Sequence, residues 1–195
     1  WNFRLNLDQG LGDYLRLQSD FRMNTSRRYG FLTLLPTQSN RTENCQSSLN
    51  PRENLTLSLD CDWLKVSVFA EINADRLRYT ASPGQNTTHW DNRFGLRAEA
   101  IWGHFVFGSD LTEYTSRGYT ISSMNRDVLV SNGYVGWKIL KNKARLGLEF
   151  DDILNNEDGR WSQQSAYQQT TSWSDFRHHY VGIRFTYHLD AKKKE

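Results

Sequence analysis

Apolar and polar residues alternate along most of this chain, with the period of two that half-buried β-strands show. The first run, residues 1–9, carries Trp1, Phe3, Leu5 and Leu7 at alternate positions. Runs of this kind cover about residues 1–9, 15–24, 54–61, 64–73, 93–102, 105–112, 129–139, 145–150 and 181–189. The pattern predicts an all-β fold, with an antiparallel meander of about nine strands.

The connections between these runs alternate in length. Trp63, Trp102 and Trp137 each lie beside a very short connection. The connections at the opposite ends are long and rich in Asn, Thr and Ser, and they cover about residues 26–52, 79–91, 115–126 and 155–174. Short turns at one end and long loops at the other are typical of a membrane-spanning β-barrel. We therefore predict an up-and-down transmembrane β-barrel with its short turns in the periplasm.

Aromatic residues mark both ends of the predicted strands, as rings do at the two headgroup levels of a membrane wall. The predicted membrane-interface aromatics are Tyr14, Trp63, Trp102, Trp137 and Tyr187 toward the short turns, and Tyr79, Trp90 and Tyr114 toward the long loops. A soluble all-β binding or structural domain with an apolar interior shows the same alternation and is the alternative fold. The aromatic belts and the unequal connections favour contact with the lipid bilayer of the outer membrane.

The polar face of the predicted strands carries charges of both signs. The predicted lumen-lining residues are Arg16, Arg22, Lys65, Glu71, Arg97, Glu99, Arg145, Glu149 and Arg184. In a barrel these side chains would set the field of the lumen and hold a plug or a solute. Simple solvation of a water-filled wall explains them equally well.

The direction of the strands bears on how much of a barrel this chain forms. Short turns in the periplasm put the end of the last strand there, whereas the first strand starts at the extracellular side. Bacterial single-chain barrels usually have an even number of strands. We therefore expect at least one strand before Trp1 and interpret residues 1–189 as the C-terminal portion of a larger barrel. Residues 190–195, which include three lysines, are expected to form a charged tail.

Composition narrows the class of protein. The chain has 195 residues, a hydrophobic content of 37% and a mean hydropathy of −0.72. No stretch approaches the roughly 20 consecutive apolar residues of a spanning helix, whereas a barrel wall needs apolar residues only at alternate positions. The formal net charge of +2, with both signs interspersed, gives no indication of nucleic-acid binding.

The two cysteines, Cys45 and Cys61, are predicted to be unpaired. Cys45 falls in a predicted long loop and Cys61 at a short turn beyond the intervening strand. In a barrel these positions lie on opposite sides of an apolar band about 25 Å tall. A disulfide requires Cα atoms within about 7 Å of each other.

Several polar residues qualify as candidate metal ligands. An acidic cluster contains Asp151, Asp152, Glu157 and Asp158. Carboxylates at this density can hold Ca²⁺, but their spacing does not match the 12-residue calcium loop, and a solvated acidic loop is the preferred interpretation. The adjacent His178 and His179 would face opposite sides of a strand, so they cannot jointly bind a metal without distortion.

No catalytic constellation stands out in the chain. A Gly-x-Ser-x-Gly elbow is missing, and no Ser, His and Asp spacing indicates a hydrolase. We therefore predict no catalytic residue, no metal and no cofactor, and we do not expect an enzyme.

The C-terminal third contains a series of short segments that follow one another in a recognisable order. They are residues 127–132 (Asp-Val-Leu-Val-Ser-Asn), 139–143, 146–150, 152–155 (Asp-Ile-Leu-Asn) and 180–187. In this order they resemble the C-terminal end of the outer-membrane β-barrel family of Bacteroidetes, similar to TonB-dependent receptors and transporters. In that family a penultimate strand leads into an Asp-Ile-Leu-Asn stretch, a long loop and a final strand. The likeness covers residues 127–189, and upstream it rests on strand rhythm only.

The resemblance implies import of an unidentified solute across the outer membrane. A plug domain and an energy-coupling protein, encoded upstream or elsewhere, would be the partners, because no TonB box or plug is recognisable in residues 1–195. The final strand continues through His188 and Leu189 instead of stopping on an aromatic residue, so an insertion signal would move to Tyr187. A barrel that serves adhesion or assembly without transport is a further alternative.

Overall fold

A computed structural model describes residues 1–32, 42–140, 143–157, 159–164, 169–174 and 179–187 of the chain. The predicted charged tail at 190–195 lies outside the described residues, as do Asp158, His178 and His188.

Within these described ranges, eleven β-strands make up nearly all of the regular structure. They are β1 (Asn2–Gly10), β2 (Leu15–Leu32), β3 (Thr42–Asp60), β4 (Leu64–Tyr79), β5 (Thr87–Trp102), β6 (Phe105–Arg117), β7 (Asp127–Ile139), β8 (Ala144–Asp151), β9 (Arg160–Gln164), β10 (Gln169–Trp173) and β11 (Tyr180–Tyr187). Single 3₁₀ turns lie at Pro83–Gln85 and Ser122–Met124. Nine strands form one antiparallel sheet in the order β1-β2-β3-β4-β5-β6-β7-β8-β11, and β9 pairs with β10 separately. The predicted all-β antiparallel meander is confirmed.

The strands extend further than the sequence pattern predicts. We expected a long polar connection at 26–52, but β2 and β3 pair continuously from Leu15 and Leu59 to Leu32 and Thr42. The loop expected at 155–174 likewise contains the β9–β10 hairpin. Both predictions were wrong for the same reason. Backbone pairing continues here although both faces of these segments are mostly polar, so the period-two signal fades before the strands end.

The connections differ in length between the two ends of the sheet. At one end they cover residues 11–14, 61–63, 103–104 and 140–143, and at the other 33–41, 80–86, 118–126 and 152–179. Gly12 and Gly103 have φ values of +93° and +59° in two of the short turns, a conformation that glycine adopts without steric cost. The predicted asymmetry of turns and loops is therefore present, and we refer below to the short-turn end and the long-loop end.

The strand register separates the two faces of the sheet. Leu96 of β5 lies opposite Val68 and Leu111, and Arg97 lies opposite Asp110. Apolar side chains thus align on one face across neighbouring strands, and polar side chains align on the other. A slip of one residue between any two strands would exchange the faces, so the alternation itself specifies the register.

The polar face is the concave one. A cleft of about 520 Å³ on this face is lined by residues from β2 to β8, among them Arg16, Arg97 and Glu149. Phe69 and Val106, which lie on the same face, are buried. The apolar face is convex and exposed, because Leu96, Leu148 and Ile183 retain 42%, 47% and 78% of their accessible surface. A soluble barrel with a dry apolar interior would show the opposite arrangement.

The sheet is open, because β1 pairs only with β2 and β11 pairs only with β8 among the described strands. Cys45 and Cys61 are unpaired, as predicted, although Cys45 lies within β3 and not in a loop. Within the part of the chain that the structure describes, no helix is long and apolar enough to cross a membrane.

Candidate functional site: the polar concave face

The nine predicted lumen-lining residues share the concave face. One row of the register illustrates this, since Arg16 pairs with Ser58, Ser58 with Ser67, Ser67 with Arg97, and Arg97 with Asp110. The same two-residue parity along each strand puts the remaining members on this face: Arg22, Lys65, Glu71, Glu99, Arg145, Glu149 and Arg184. Sequence reasoning from alternation therefore identified a set of residues that the fold brings onto one surface.

Most charges on this face are paired with a residue of a neighbouring strand. Among the described residues, these ion pairs include Asp8–Arg16 at 2.5 Å, Asp20–Arg4 at 3.0 Å, Asp60–Lys65 at 3.2 Å, Glu71–Arg93 at 2.7 Å, Asp110–Arg97 at 2.6 Å and Glu149–Arg184 at 2.5 Å. Asp20 also pairs with Arg22 of its own strand, with 2.5 Å between Arg22 Nη2 and Asp20 Oδ2. The partners Asp8, Asp60, Arg93 and Asp110 were not among the predicted lumen-lining residues, although they have the same strand parity as the residues they contact.

Two aromatic rings lie flat on this face above glycines of the adjacent strand. A Cβ atom at Gly95 would overlap the ring of Phe69, and one at Gly108 would overlap the ring of Tyr134. The guanidinium groups of Arg97 and Arg93 lie 4.6 and 5.2 Å from the Phe69 ring centroid. Glycine inside a strand often marks such a close approach, so Gly95 and Gly108 carried a usable signal.

The Tyr134 ring completes this polar surface. Its hydroxyl donates a hydrogen bond to Glu99, and the Arg145 guanidinium lies 6.0 Å from its ring centroid. Guanidinium groups, carboxylates and a phenol thus lie side by side across the 520 Å³ cleft, and most of these charges have a partner on a neighbouring strand. Such a surface offers many hydrogen-bonding groups and little net field.

A second cleft of about 570 Å³ lies closer to the long-loop end. Its lining includes Glu71, Asp91, Arg93, Tyr114 and Ser116. Arg93 Nε is buried without a hydrogen-bond partner, while its Nη2 pairs with Glu71. The two clefts together make the concave face polar along most of its length.

The predicted interface aromatics do not all lie on the convex side. Trp90, Trp137 and Tyr187 are exposed on the convex face, and Tyr14, Trp63 and Trp102 are exposed at the short-turn end. Tyr79 and Tyr114 instead have the strand parity of the concave face, and only 6% of Tyr79 is exposed. Trp1, Tyr29 and Phe31 were not among the predicted interface aromatics, but they are exposed on the convex side at the long-loop end. Tyr29 and Phe31 lie in β2, which was expected to end at about residue 24.

Asp152 is not part of a solvated acidic loop, contrary to the sequence-based interpretation, because it is completely buried. Its Oδ2 accepts a hydrogen bond of 2.8 Å from the Glu157 backbone, and its own N–H donates to Asn132 Oδ1 at 2.8 Å. The carbonyl oxygen of Asp152 lies 2.8 Å from His179 Nδ1. Asp152 therefore organises the chain after β8. The described residues contain no group of three or more His, Cys, Asp or Glu that could hold a metal ion.

Comparison of the chain with family models, curated proteins and solved structures finds no match. The resemblance of residues 127–189 to the outer-membrane family therefore stays a prediction.

Proposed function

We propose that this chain forms part of the wall of an outer-membrane β-barrel. The convex apolar face contacts lipid acyl chains, and the concave polar face lines an aqueous lumen. The observation that carries this proposal is the exposure of Leu96, Leu148 and Ile183 on a sheet whose charged side chains lie on the opposite, concave face. Contiguous exposed apolar surface of this kind marks contact with a membrane or another protein.

The dimensions of the apolar surface support the proposal that the convex face contacts a lipid bilayer. One row of residues runs across six strands through Leu64, Ala100, Phe107, Val135, Leu148 and Ile183. At roughly 4.8 Å between strands the row is about 24 Å wide. Along β4, apolar residues alternate from Leu64 to Ile72, about 27 Å at roughly 3.4 Å per residue. After the usual barrel tilt this is about 20 Å of height, close to the apolar band of about 25 Å in known barrels.

A polar border limits this surface toward the long-loop end. Glu53 pairs with Ile72, Ile72 with Asn92, Asn92 with Thr115, and Thr115 with Asp127, all on the convex face. Four of these five side chains are polar, whereas the rows nearer the short-turn end are mainly apolar. A band of apolar residues with a polar edge fits a lipid layer better than it fits a partner protein of arbitrary outline.

The two edges of the sheet bear on how the wall is completed. An open sheet edge does not occur within the hydrocarbon region of a bilayer, since its backbone groups would lack hydrogen-bond partners. β1 and β11 both run from the long-loop end to the short-turn end. Antiparallel closure therefore needs an odd number of further strands between them. We infer that the sheet is part of a larger barrel.

A more specific function follows from the resemblance of residues 127–189. We propose that the barrel is an importer similar to TonB-dependent receptors, which takes up an unidentified solute. A plug domain held against the paired charges of the concave face, and an energy-coupling protein, would be its partners. Screening the growth of cells that lack the chain on single nutrient sources tests this part, and growth equal to wild type on every source contradicts it.

The native cysteines provide a direct test of the membrane wall. Cys45 and Cys61 lie near opposite ends of β3, about 50 Å apart at roughly 3.4 Å per residue. If β3 spans the outer membrane, a membrane-impermeant maleimide added to intact cells labels Cys45 and leaves Cys61 unlabelled until the cells are opened. Mass spectrometry of tryptic peptides measures both.

Two single variants control this experiment. Cys45→Ser should abolish labelling of intact cells, and Cys61→Ser should leave it unchanged. The proposal fails if both thiols react equally in intact cells, or if the protein is recovered in buffer without detergent. The second outcome would favour a soluble all-β domain.

A further inference from the structure

The connection between β6 and β7, residues 118–126, folds inward over the concave face at the long-loop end. Gly118 begins this turn with a φ of +84°, and a Cβ atom there would overlap the carbonyl oxygen of Thr88 in β5. Only glycine combines this backbone conformation with such a close approach to the neighbouring strand. The chain is thereby directed back onto β5 instead of away from the sheet.

Tyr119 attaches this connection to β5. Its ring stacks on His89, with 4.5 Å between the ring centroids, and its hydroxyl donates a 2.5 Å hydrogen bond to Asp91 Oδ2. The other oxygen of Asp91 accepts a 2.7 Å hydrogen bond from Ser116 Oγ. His89 is in turn held by Asp75, with Nε2 and Oδ2 3.4 Å apart. Burial, and then the hydrogen bond to Asp91, raise the pKa of Tyr119 above its usual range.

The rest of the connection is internally braced. Asn125 Oδ1 accepts a hydrogen bond of 2.9 Å from the Tyr119 backbone, and Asn125 Nδ2 donates one of 2.8 Å to the Tyr119 carbonyl. The 3₁₀ turn at Ser122–Met124 lies between them, and Met124 is buried. Because these contacts are internal, the segment can move as one unit when the Tyr119 side chain leaves His89 and Asp91.

We propose that residues 118–126 are a latch that closes part of the long-loop end of the concave face, with Tyr119 bound between His89 and Asp91 when the latch is shut. Release of the latch uncovers Asp91 and Ser116, which also line the 570 Å³ cleft. A gating role for the latch rests on the proposed barrel function, whereas its docking through Tyr119 does not.

Trypsin provides the readout, since the peptide bonds that follow Arg117 and Arg126 lie at the two ends of the latch. When opening is fast relative to cleavage, the cleavage rate follows the population of the open state. A hydrogen bond to a carboxylate is worth a factor of about ten or more in such an equilibrium. We expect Tyr119→Phe to increase cleavage at Arg117 and Arg126 about tenfold in the detergent-solubilised full chain, as measured by mass spectrometry over time. Asp91→Asn, which keeps an acceptor but loses the charge, should give a smaller increase.

Tyr114→Phe is the matched control, because Tyr114 is another tyrosine on the concave side of β6. Cleavage at Arg52 in β3 reports general loosening of the sheet. The latch proposal is contradicted if Tyr119→Phe leaves the rate of cleavage at Arg117 and Arg126 unchanged. It is also contradicted if cleavage at Arg52 rises equally in this variant, or if Tyr114→Phe increases cleavage at Arg117 and Arg126 equally. Recovery of the protein without detergent would refute the membrane wall, yet the same comparison of variants would still decide whether the latch exists.

Discussion

The two faces of the sheet differ in where their side chains find partners. On the concave face, charged residues pair with neighbours of the same sheet, as Arg97 does with Asp110 and Arg184 with Glu149. On the convex face, Leu96, Leu148 and Ile183 leave much of their surface uncovered. The concave face is therefore adapted to water by internal pairing, whereas the convex face needs an apolar medium from outside the chain.

This difference also bears on stability. The concave ion pairs are largely exposed to solvent, and exposed pairs contribute only about 0–1 kcal/mol each. Removal of a large apolar side chain from water contributes about 1.5–3 kcal/mol. We therefore expect contact of the convex face with lipid to contribute more to stability than the network of charges does.

The largest expected effect comes from a charge on the convex face. Leu96→Arg should lower the free energy of unfolding in lipid vesicles by about 2–4 kcal/mol, because a cation near the bilayer midplane is poorly solvated. Urea titration followed by tryptophan fluorescence measures this. Gln18→Arg is the matched control, since Gln18 lies on the concave face beside Asp8, and it should change stability by less than about 0.5 kcal/mol. Equal effects of the two variants would remove the distinction between the faces.

A smaller effect is expected where a ring covers a glycine on the concave face. Gly108→Ala should destabilise the protein by about 1–3 kcal/mol, because the new methyl group overlaps the Tyr134 ring. Gly30→Ala is the control, since a Cβ atom there meets nothing within 4 Å. In a Tyr134→Ala background, Gly108→Ala should reduce the free energy of unfolding only slightly, because the ring is absent. If Gly108→Ala destabilises the protein by the same amount in both backgrounds, overlap with the ring is not the cause.

The smallest effect concerns a single ion pair of the concave face. A double-mutant cycle with Arg184→Gln and Glu149→Gln should give a coupling energy of about 0.2–1 kcal/mol, because Arg184 is largely exposed. The coupling should decrease further as salt is added. A coupling well above 2 kcal/mol would mean that the concave face is shielded from water, which contradicts an aqueous lumen.

The division of residues between the two faces could be predicted from the sequence, because a strand period of two assigns each side chain from its neighbours alone. The contacts within a face could not. The position of Phe69 above Gly95 depends on the register between β4 and β5, and the burial of Asp152 depends on Asn132, which is distant in sequence. The extension of β2 and β3 was missed because residues beyond about 24 are mostly polar, and Tyr29 and Phe31 are too few to give a sustained alternation, so pairing there depends on the backbone.

The shared direction of β1 and β11 has a consequence for self-assembly. If several identical copies entered a bilayer with the same sidedness, each seam would bring β11 of one copy against β1 of the next. Those two strands would run parallel, whereas every pairing inside the sheet is antiparallel. A homo-oligomeric ring of this sheet would thus contain one mismatched seam per copy, which favours completion by strands of a different sequence.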